Sequence, residues 1–501
     1  MRYESTRGSK NYQTSTQAII RGIAEDKGLY VPTEVPKLSL TIEEMQGMTY
    51  QQIAKEVLNA YFDEYTDEEM LYCINGAYDS KFEAPEVAPL VKAGGAYFLE
   101  LYHGKTAAFK DMALSILPYL MTTACKKEGE TNKICILTAT SGDTGKAALE
   151  GFAGVPGTEI IVFYPENGVS QVQERQMVSQ AEANTHVFAI KGNFDDAQTG
   201  VKKIFADDEM KAKLAEVGIK LSSANSINIG RLVPQVAYYV YSYVKLVEEG
   251  ALKNGELMNV VVPTGNFGNI LAAYLAGKMG VPVGKLICAS NENKVLTDFI
   301  RTGVYDARRD FHLTNSPSMD ILISSNLERL IYLLAERDGQ AVADWMKALD
   351  TEKVYEVSDV VKKGLEDFYG GFCTEDETLA TIDKLWKEEK YLTDTHTAVA
   401  YKVYEDYVAE TGDKTPTVIA STASAYKFAE SVAKAIGLDE NKVRVLTKAG
   451  EEVTGFDYVK ALSMETGVKV PTGLKDLELK PVVHNNVCEK DEMPEVVLGA
   501  L

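Results

Sequence analysis

The sequence lacks the features that mark several large classes of protein. Its 501 residues contain six cysteines, and no two of them form a C-x-x-C pair. This spacing fits neither a disulfide framework nor a zinc site, so we expect reduced, mostly buried thiols and no metal. No stretch reaches the roughly 18 consecutive apolar residues that a membrane helix needs, and no apolar signal region follows the polar first ten residues. These absences predict a soluble, cytoplasmic protein with no membrane partner.

Positive charge is also in short supply. The chain has 52 lysine and arginine residues against 73 aspartate and glutamate residues, for a formal net charge of −21 at pH 7. This balance argues against nucleic acid as a partner, because phosphate backbones bind clustered lysine and arginine. It leaves room for a small anionic ligand, which needs only a local positive site. The hydrophobic fraction of 45% and the length predict a globular protein of two or three domains.

From about residue 130 the chain alternates short apolar runs with helical patterns. Buried strands are predicted at residues 133–138, 159–164, 186–190, 259–263, 286–290 and 417–420. Glycine-rich turns and helices follow some of these strands, an order typical of parallel α/β architecture with ligands at the carboxyl ends of the strands. Charged helices are predicted at residues 327–351, 356–369 and 376–389.

The N-terminal part differs from this pattern. It is predicted to be mostly helical, with amphipathic helices over residues 41–63 and 67–75. We expect four units, which are an N-terminal domain (1–92), a large α/β domain (93–125 and 220–470), a smaller α/β domain (126–219) and a loop-like C-terminal tail (471–501).

The segment with the clearest chemical content is H-G-K-T-A-A-F-K-D over residues 103–111. Lys110 lies beside an aromatic residue and small residues, directly before an apolar helix predicted over 112–120. On its own, a lysine in such a place more often extends from a helix start into solvent. Partial burial would instead lower its pKa, and the neutral amine could then form an imine with a cofactor.

Two glycine-rich turns stand between a predicted strand and a predicted helix. The turn T-G-N-F-G-N (264–269) could close backbone N–H groups around a phosphate, or it could serve packing alone. The turn T-S-G-D-T-G (140–145) is followed by Lys146, which invites comparison with a P-loop. That interpretation fails, because a P-loop has four residues between its glycines and a serine or threonine after the lysine. The same turn could also cap a helix through Ser141 or Thr144.

Three further sets of polar residues are candidates. N-S-I-N-I-G-R (225–231) ends in Arg231, whose guanidinium could pair two phosphate oxygens or form a structural ion pair. Thr422 follows the strand predicted at 417–420. His103 and His396 are of the residue type most often used as a catalytic acid, although a structural histidine is the commoner outcome.

In their order along the chain, these motifs resemble threonine synthase, a family of enzymes that use pyridoxal 5′-phosphate (PLP). H-G-x-T-x-A-F-K-D is similar to the PLP-lysine motif of the family. The same order holds for Y-x-S-T-R (3–7), G-L-Y-V-P (28–32), S-P-S-M-D (316–320), S-N-x-E-R (325–329), D-x-H-T-A (394–398) and S-T-A (421–423). The resemblance extends to about residue 430 and is to the longer branch of the family, which has a helical N-terminal domain. Lys105 departs from it, because proline is expected there in many members.

The resemblance implies the α/β fold of PLP-dependent fold type II (similar to tryptophan synthase β), with two parallel α/β domains and a mostly helical N-terminal domain. It implies a Schiff base between PLP and Lys110, and Thr422 beside the pyridine nitrogen. The implied phosphate loop consists of Gly265, Asn266, Phe267, Gly268 and Asn269. The implied substrate contacts are Ser141, Gly142, Asp143, Thr144, Asn225, Ser226, Asn228 and Arg231. Lys105 adds either a phosphate contact or a solvated charge.

The implied reaction converts O-phospho-L-homoserine and water to L-threonine and phosphate, the last step of threonine biosynthesis. Lys110 would be the general base that moves protons at the substrate carbons. The partner would be this small anionic substrate, and the protein would be a monomer or a homodimer. One alternative is another lyase of the same fold, such as a serine or threonine dehydratase or a cysteine synthase. Another is a PLP-binding protein without catalysis, which would be expected to lack the lysine or the phosphate loop.

Overall fold

The computed structural model describes residues 1–140, 142–450 and 452–501. Its N-terminal region contains β1 (Tyr3–Ser5), α1 (Ser15–Arg21), β2 (Tyr30–Pro32), α2 (Ile42–Met45), α3 (Tyr50–Tyr61) and α4 (Asp67–Tyr78). Each of these helices follows a threonine whose hydroxyl accepts a hydrogen bond from a backbone N–H of the first turn, and a Gln or Glu side chain bonds back. The prediction of one helix over 41–63 is wrong, because Gly47 adopts a φ of 79° and a new capping box at Thr49 starts α3.

Most of the remaining strands belong to two sheets, which are connected and covered by helices. Residues 90–127 form β3 (Leu90–Ala93), β4 (Ala96–Glu100), α5 (Asp111–Leu114) and α6 (Leu117–Lys127). Residues 133–222 form β5 (Lys133–Ala139), α7 (Asp143–Phe152), β6 (Thr158–Pro165), α8 (Gln171–Val178), β7 (Thr185–Lys191), α9 (Phe194–Ala206), α10 (Asp208–Glu216) and β8 (Ile219–Ser222).

The later elements supply most strands of the larger sheet, a separate pair of strands and one edge strand of the smaller sheet. Residues 229–306 form α11 (Ile229–Glu248), β9 (Met258–Pro263), α12 (Gly268–Met279), β10 (Val283–Ser290), α13 (Val295–Thr302) and β11 (Val304–Asp306). Residues 327–421 form α14 (Leu327–Leu334), α15 (Gly339–Glu352), β12 (Val354–Glu356), α16 (Asp359–Gly364), β13 (Phe368–Phe372), α17 (Glu375–Glu389), α18 (Thr395–Thr411) and β14 (Thr417–Ser421). The chain ends with α19 (Ala429–Ala435), α20 (Glu440–Thr447), α21 (Gly455–Thr466), β15 (Asn486–Glu489) and α22 (Met493–Ala500).

Two sheets organise most of these elements. The larger sheet has the strand order β13-β10-β9-β14-β4-β3 and is parallel except at the β3–β4 pair. The smaller sheet has the order β15-β7-β6-β5-β8 and is parallel throughout. Parallel neighbours need long crossover connections, which the helices provide. The predicted fold class, two parallel α/β units with a mostly helical N-terminal region, is confirmed, as is each of the six predicted strands.

The charged helices are only partly as predicted. The helix over 376–389 is present as α17, but the segment 327–351 forms two helices, because Glu336 and Arg337 adopt left-handed φ values of 52° and 69°. The segment 356–369 keeps only the short α16 and a 3-10 turn at Leu365–Asp367, and then enters β13. Here the end of the segment pairs with β10 in the larger sheet, and this tertiary contact overrides the helical pattern of the sequence.

The C-terminal tail is more ordered than its sequence indicates. Strand β15 pairs in parallel with β7 and extends the smaller sheet, and α22 packs on α9. Cys488, Met493 and Val497 are buried in the core beneath them. The expectation of a loop-like tail is therefore wrong for residues 486–500. The domain boundaries stay predictions, with the qualification that the smaller sheet takes β15 from outside residues 126–219 and that β8 extends beyond residue 219.

Helix α11 connects the N-terminal region to the larger sheet. It is buried along nearly its whole length and packs against α3 and α12, as expected for a helix that is apolar on most sides. Even so, no helix in the described part of the chain is long and apolar enough to cross a membrane. The six cysteines are buried and unpaired, as predicted.

Candidate active site

The segment that carries Lys110 is held against the end of strand β14. The Phe109 N–H donates to the Thr422 carbonyl oxygen at 2.7 Å, and the Ser424 N–H donates to the Ala107 carbonyl oxygen at 3.0 Å. Ala107 adopts a left-handed φ of 57°, which turns the chain between these two bonds. Lys110 therefore begins α5 directly beside Thr422, although the two residues are far apart in the sequence.

The Lys110 amine lies in a buried, polar pocket. Its side chain is 11% exposed, and its Nζ is 3.3 Å from Ser318 Oγ and 3.9 Å from Asp143 Oδ2. Burial lowers the pKa of Lys110 to about 8, since the nearby Asp143 carboxylate only partly offsets it and the charges of Lys427 and Arg231 lower it further. A minor but much increased share of this amine is therefore neutral near physiological pH, and this neutral form is the one that a nucleophile or a general base requires.

Asp143 forms a buried ion pair that the sequence analysis missed. Its Oδ1 lies 3.1 Å from Lys427 Nζ and accepts a hydrogen bond from Gln173 at 2.9 Å. Burial alone would raise the pKa of Asp143, but the charges of Lys427 and Lys110 hold it well below its usual range. The Lys427 side chain is fully buried and also donates to the Thr106 carbonyl oxygen. A lone lysine in a short helical turn gives no sequence signal for such a role.

Ser318 links the lysine to a buried histidine. Its hydroxyl contacts Lys110, and its backbone N–H donates to His396 Nε2 at 3.2 Å. Because a backbone N–H can only donate, Nε2 carries no proton, and Nδ1 donates to Asp394 Oδ2 at 2.8 Å. This arrangement holds His396 in one neutral tautomer. Of the two candidate histidines, His396 thus positions Ser318, and His103 pairs with Glu100 at 2.7 Å.

The glycine-rich turn 264–269 packs against the same serine segment. A Cβ atom at Gly265 would lie 2.5 Å from the Ser318 carbonyl oxygen, so this position accepts only glycine without a shift. Phe267 has a left-handed φ of 64° and precedes α12. The Asn269 side chain is buried; its Oδ1 accepts a hydrogen bond from Tyr239, and its Nδ2 has no hydrogen-bond partner among the described residues. The turn thus places Gly265 against Ser318, which contacts Lys110, and it ends in a buried donor without a partner in the described ranges.

Arg231 is a further buried cation, and its guanidinium has unused hydrogen-bonding capacity. It is 5% exposed, its Nη1 donates to the Ala224 carbonyl oxygen at 2.8 Å, and its Nε has no partner within the described ranges. Burial lowers its pKa to about 10. No carboxylate of a described residue forms an ion pair with it, which disfavours the structural ion pair considered from the sequence. A buried guanidinium in this state is expected to bind an anion.

The remaining predicted substrate contacts differ in their surroundings. Gly142 and Asp143 stand at the start of α7, with Thr144 in its first turn, whereas Ser141 lies outside the described residues. Asn225 is exposed, and its Oδ1 accepts a hydrogen bond from Ser226. Asn228 caps α11, and its Nδ2 donates to the Ile19 carbonyl oxygen, so both its polar atoms have structural partners.

Lys105 does not join Lys110. Its side chain is 52% exposed, and its Nζ lies 3.5 Å from Glu150 Oε1, in the wall of a separate cavity. Roles of Lys105 and of the other site residues in binding stay predictions. What the fold brings together is Lys110, Asp143, Arg231 and Thr422 with the turn at Gly265.

Family models match nearly the whole chain. One described as "Pyridoxal-phosphate dependent enzyme" matches residues 81–423, and models described as "Threonine synthase N terminus" and "Threonine synthase, C-terminal" match residues 2–78 and 397–482. With the fold and the buried lysine, these matches define a PLP-dependent enzyme of fold type II.

Comparison with similar proteins identifies the family within this class of enzymes. Threonine synthase of Saccharomyces cerevisiae is 36% identical over 465 residues, which cover 87% of this chain and 89% of that protein. The crystal structure of PLP-bound threonine synthase from Brucella melitensis is 34% identical, has a TM-score of 0.87, and the match covers 100% of this chain and 99% of that one. The chain belongs to the threonine synthase family. It also matches human threonine synthase-like 1 with 41% identity over 439 residues, which are 85% of this chain and only 58% of that longer protein.

The residues of the site fit the cofactor of this family, PLP. The Lys110 amine is buried and has a pKa lowered to about 8, which favours the neutral form that reacts with an aldehyde cofactor. The unpartnered Asn269 Nδ2 and Arg231 Nε are buried donors suited to phosphate groups. The absence of a side chain at Gly265 lets the turn pack closely against the backbone of Ser318, the residue whose hydroxyl contacts Lys110.

Proposed function

We propose that this protein converts O-phospho-L-homoserine and water to L-threonine and phosphate. The observation that supports this substrate is Arg231, a buried guanidinium with an unpaired Nε and no carboxylate partner in the described part of the chain. Its charge lowers the pKa of Lys110, so the two groups are within electrostatic reach. A phosphorylated substrate would bring to this site the counter-charge that the protein does not provide.

Lys110 is the residue that would hold PLP covalently, with the turn 265–269 around the phosphate group and Thr422 beside the ring nitrogen. When bound, PLP supplies an electron sink for substrate carbons that lose a proton. Thr422 offers a hydroxyl there, which is a weaker partner for a ring nitrogen than a carboxylate. The bond between the Phe109 N–H and the Thr422 carbonyl oxygen keeps the lysine and the threonine in fixed register.

The proton transfers fall to Lys110. As a free amine with a pKa of about 8, Lys110 would remove one proton and return another at neighbouring substrate carbons. Asp143 and Ser318 contact the Nζ atom and hold the protonated form in place between transfers. We therefore assign Asp143 to the positioning of Lys110 and not to substrate binding. An unpaired carboxylate at this place would repel an anionic substrate, and the ion pair with Lys427 offsets that repulsion.

The substrate would be anchored at both of its charged ends. Thr144, in the first turn of α7, would offer a backbone donor to the carboxylate, whereas the Gly142 N–H already donates to Thr140 Oγ1 at 3.0 Å. Arg231, with Asn225 and Ser226 nearby in the chain, would bind the phosphate. This arrangement explains why the site buries an unpaired arginine at a cost in folding stability.

Separate substrates test the proposal directly. The purified PLP-loaded protein is offered three substrates in separate reactions. Phosphate and threonine are measured with O-phospho-L-homoserine, pyruvate with L-serine, and cysteine with O-acetyl-L-serine plus sulfide. We expect phosphate and threonine in equal amounts from the first substrate. Pyruvate or cysteine as the main product would instead identify a dehydratase or a cysteine synthase.

Replacement of Arg231 tests the phosphate assignment. Arg231→Gln is expected to lower kcat/KM for O-phospho-L-homoserine by roughly a hundredfold, because charge-assisted hydrogen bonds to phosphate are worth about 1.5–3 kcal/mol and the charge itself is lost. Arg308→Gln is the matched control, since Arg308 is 57% exposed and pairs only with Asp306 at the surface. Equal activity of Arg231→Gln and wild type would refute the assignment.

A further inference from the structure

Lys105 lines a cavity that Lys110 does not reach. The cavity has a volume of about 560 Å³, within the range of small-molecule sites. Its walls come from distant parts of the chain. Four lysines line it, which are Lys81 before β3, Lys105 in the lysine segment, Lys146 in α7 and Lys480 before β15.

The lysines of this cavity exceed their close counter-charges. Glu150 serves two of them, with its Oε2 3.1 Å from Lys146 Nζ and its Oε1 3.5 Å from Lys105 Nζ. Lys81 donates to the Tyr119 hydroxyl at 3.3 Å, and neither Lys81 nor Lys480 has an ion pair with any residue in the described ranges.

The remaining carboxylates of the wall do not restore the balance. Glu83 accepts a hydrogen bond from the Thr472 N–H, and Glu182 is exposed to solvent. The lysines also perturb one another. Burial lowers the pKa of Lys81, and the charge of Lys105 lowers it further. Glu150 and Asp79 raise the pKa of Lys81 in part, but the wall holds four lysines against three glutamates, which leaves a local excess of positive charge in a chain of net charge −21.

Gln176 in α8 gives independent support for a ligand. It lines the cavity and is 1% exposed, yet neither its amide nitrogen nor its amide oxygen has a hydrogen-bond partner among the described residues. A buried amide without partners costs free energy, so native proteins nearly always satisfy it. A partner for this side chain must both accept from its nitrogen and donate to its oxygen.

We propose that this cavity is a second ligand site, which binds a small phosphorylated metabolite carrying a hydroxyl group. The phosphate oxygens would accept from Lys81, Lys105 and the Gln176 amide nitrogen, and the hydroxyl would donate to the Gln176 oxygen. The site is separate from the one proposed for O-phospho-L-homoserine and does not depend on that reaction. Since Lys105 precedes Lys110 and Lys146 follows Asp143 by less than one helical turn, a ligand here would contact both segments that form the active site.

Titration of the PLP-loaded protein with sn-glycerol 3-phosphate tests the site. This probe has a phosphate and hydroxyls but no amine, so it cannot react with the cofactor. We expect saturable binding by calorimetry at fixed ionic strength. Lys105→Met and Gln176→Glu should each weaken it by roughly tenfold or more, because each removes a donor to the phosphate. Lys133→Met is the matched control, as Lys133 is 57% exposed and pairs with Glu159 outside the cavity.

Three further points keep the outcome decisive. Lys105 is half exposed, so its variant reports on binding even if Gln176→Glu is unstable. Arg231→Gln should leave this binding within twofold of wild type, whatever it does to activity. The proposal is overturned if the probe does not saturate, if Lys105→Met binds it like wild type, or if Arg231→Gln alone abolishes binding, which would place the probe in the active site.

Discussion

Replacement of Lys427 by methionine is expected to raise the pKa of Lys110 by about one unit. The two ammonium groups contact opposite oxygens of the Asp143 carboxylate, Lys427 at 3.1 Å and Lys110 at 3.9 Å. Their nitrogens are therefore roughly 9 Å apart at most, where two unit charges repel by about 2 kcal/mol at an effective dielectric constant of about 20. Since one pKa unit corresponds to about 1.4 kcal/mol, loss of this repulsion shifts the pKa by about one unit or slightly more. Asp143, freed from Lys427, attracts the Lys110 ammonium more strongly and acts in the same direction.

The sign of the effect can be followed through the neutral amine. In the wild type the pKa of Lys110 is about 8, so the neutral form becomes dominant above pH 8. In Lys427→Met the same transition is expected near pH 9. The assay is the rate at which the cofactor-free protein captures PLP, followed by absorbance across a pH range that brackets both values, because only the neutral amine reacts.

Two variants serve as controls for this experiment. Lys427→Arg keeps the positive charge and should restore a midpoint near pH 8. Lys434→Met removes a 52% exposed lysine that pairs with Glu430 at the surface and should leave the midpoint unchanged. A midpoint for Lys427→Met that stays near 8 or falls below it would refute the proposed electrostatic coupling.

Three other expectations follow from single contacts. Lys110→Ala should not bind PLP covalently, so borohydride treatment should leave no stable label on the protein. Its rate of threonine formation should fall at least about a thousandfold, whereas Lys133→Ala should keep both the label and the rate. Gly265→Ala should weaken PLP binding by tenfold or more, about 1.4 kcal/mol, because its Cβ would lie 2.5 Å from the Ser318 carbonyl oxygen; Gly499→Ala, with open space around it, is the control. Glu328→Gln should destabilise the protein by about 3 kcal/mol in urea unfolding, since it removes the buried partner of Arg7, whereas Glu25→Gln at an exposed pair should cost less than about 1 kcal/mol. Unchanged PLP affinity in Gly265→Ala, or equal stability of the two glutamate variants, would contradict the structural argument.

The sequence was sufficient for the repeating architecture, because parallel strands buried on both faces leave continuous apolar runs. The runs at 133–138 and 259–263 correspond to β5 and β9. It was insufficient for β15, where the run N-V-C-E is short and half polar and becomes a strand only because the edge of β7 is available. The end of α14 could not be predicted either. The residues that follow it in left-handed conformation, Glu336 and Arg337, are not glycines, so the sequence gives no local signal for the break.

Site residues were accessible to sequence analysis where glycines or a lysine motif marked them. Lys110, Gly265 and Thr422 belong to short segments with a recognisable order. Lys427 and Gln173, by contrast, reach Asp143 only through the fold, and no spacing within the chain relates them. Sequence patterns report local geometry well, whereas a buried ion pair between remote segments depends on tertiary contacts alone.

An acidic protein could hold the proposed anionic substrate because burial separates the electrostatics of the site from those of the surface. The net charge of −21 rests mainly on solvated carboxylates, whose fields are screened over about 10 Å at moderate ionic strength. Arg231 and Lys427 are only 5% and 3% exposed, so their charges act through a medium of lower dielectric constant. Lys427 is already matched by Asp143, which leaves the charge of Arg231 unmatched. An incoming phosphate would therefore encounter a net positive site, and the pairing of Asp143 with Lys427 is what prevents that carboxylate from repelling it.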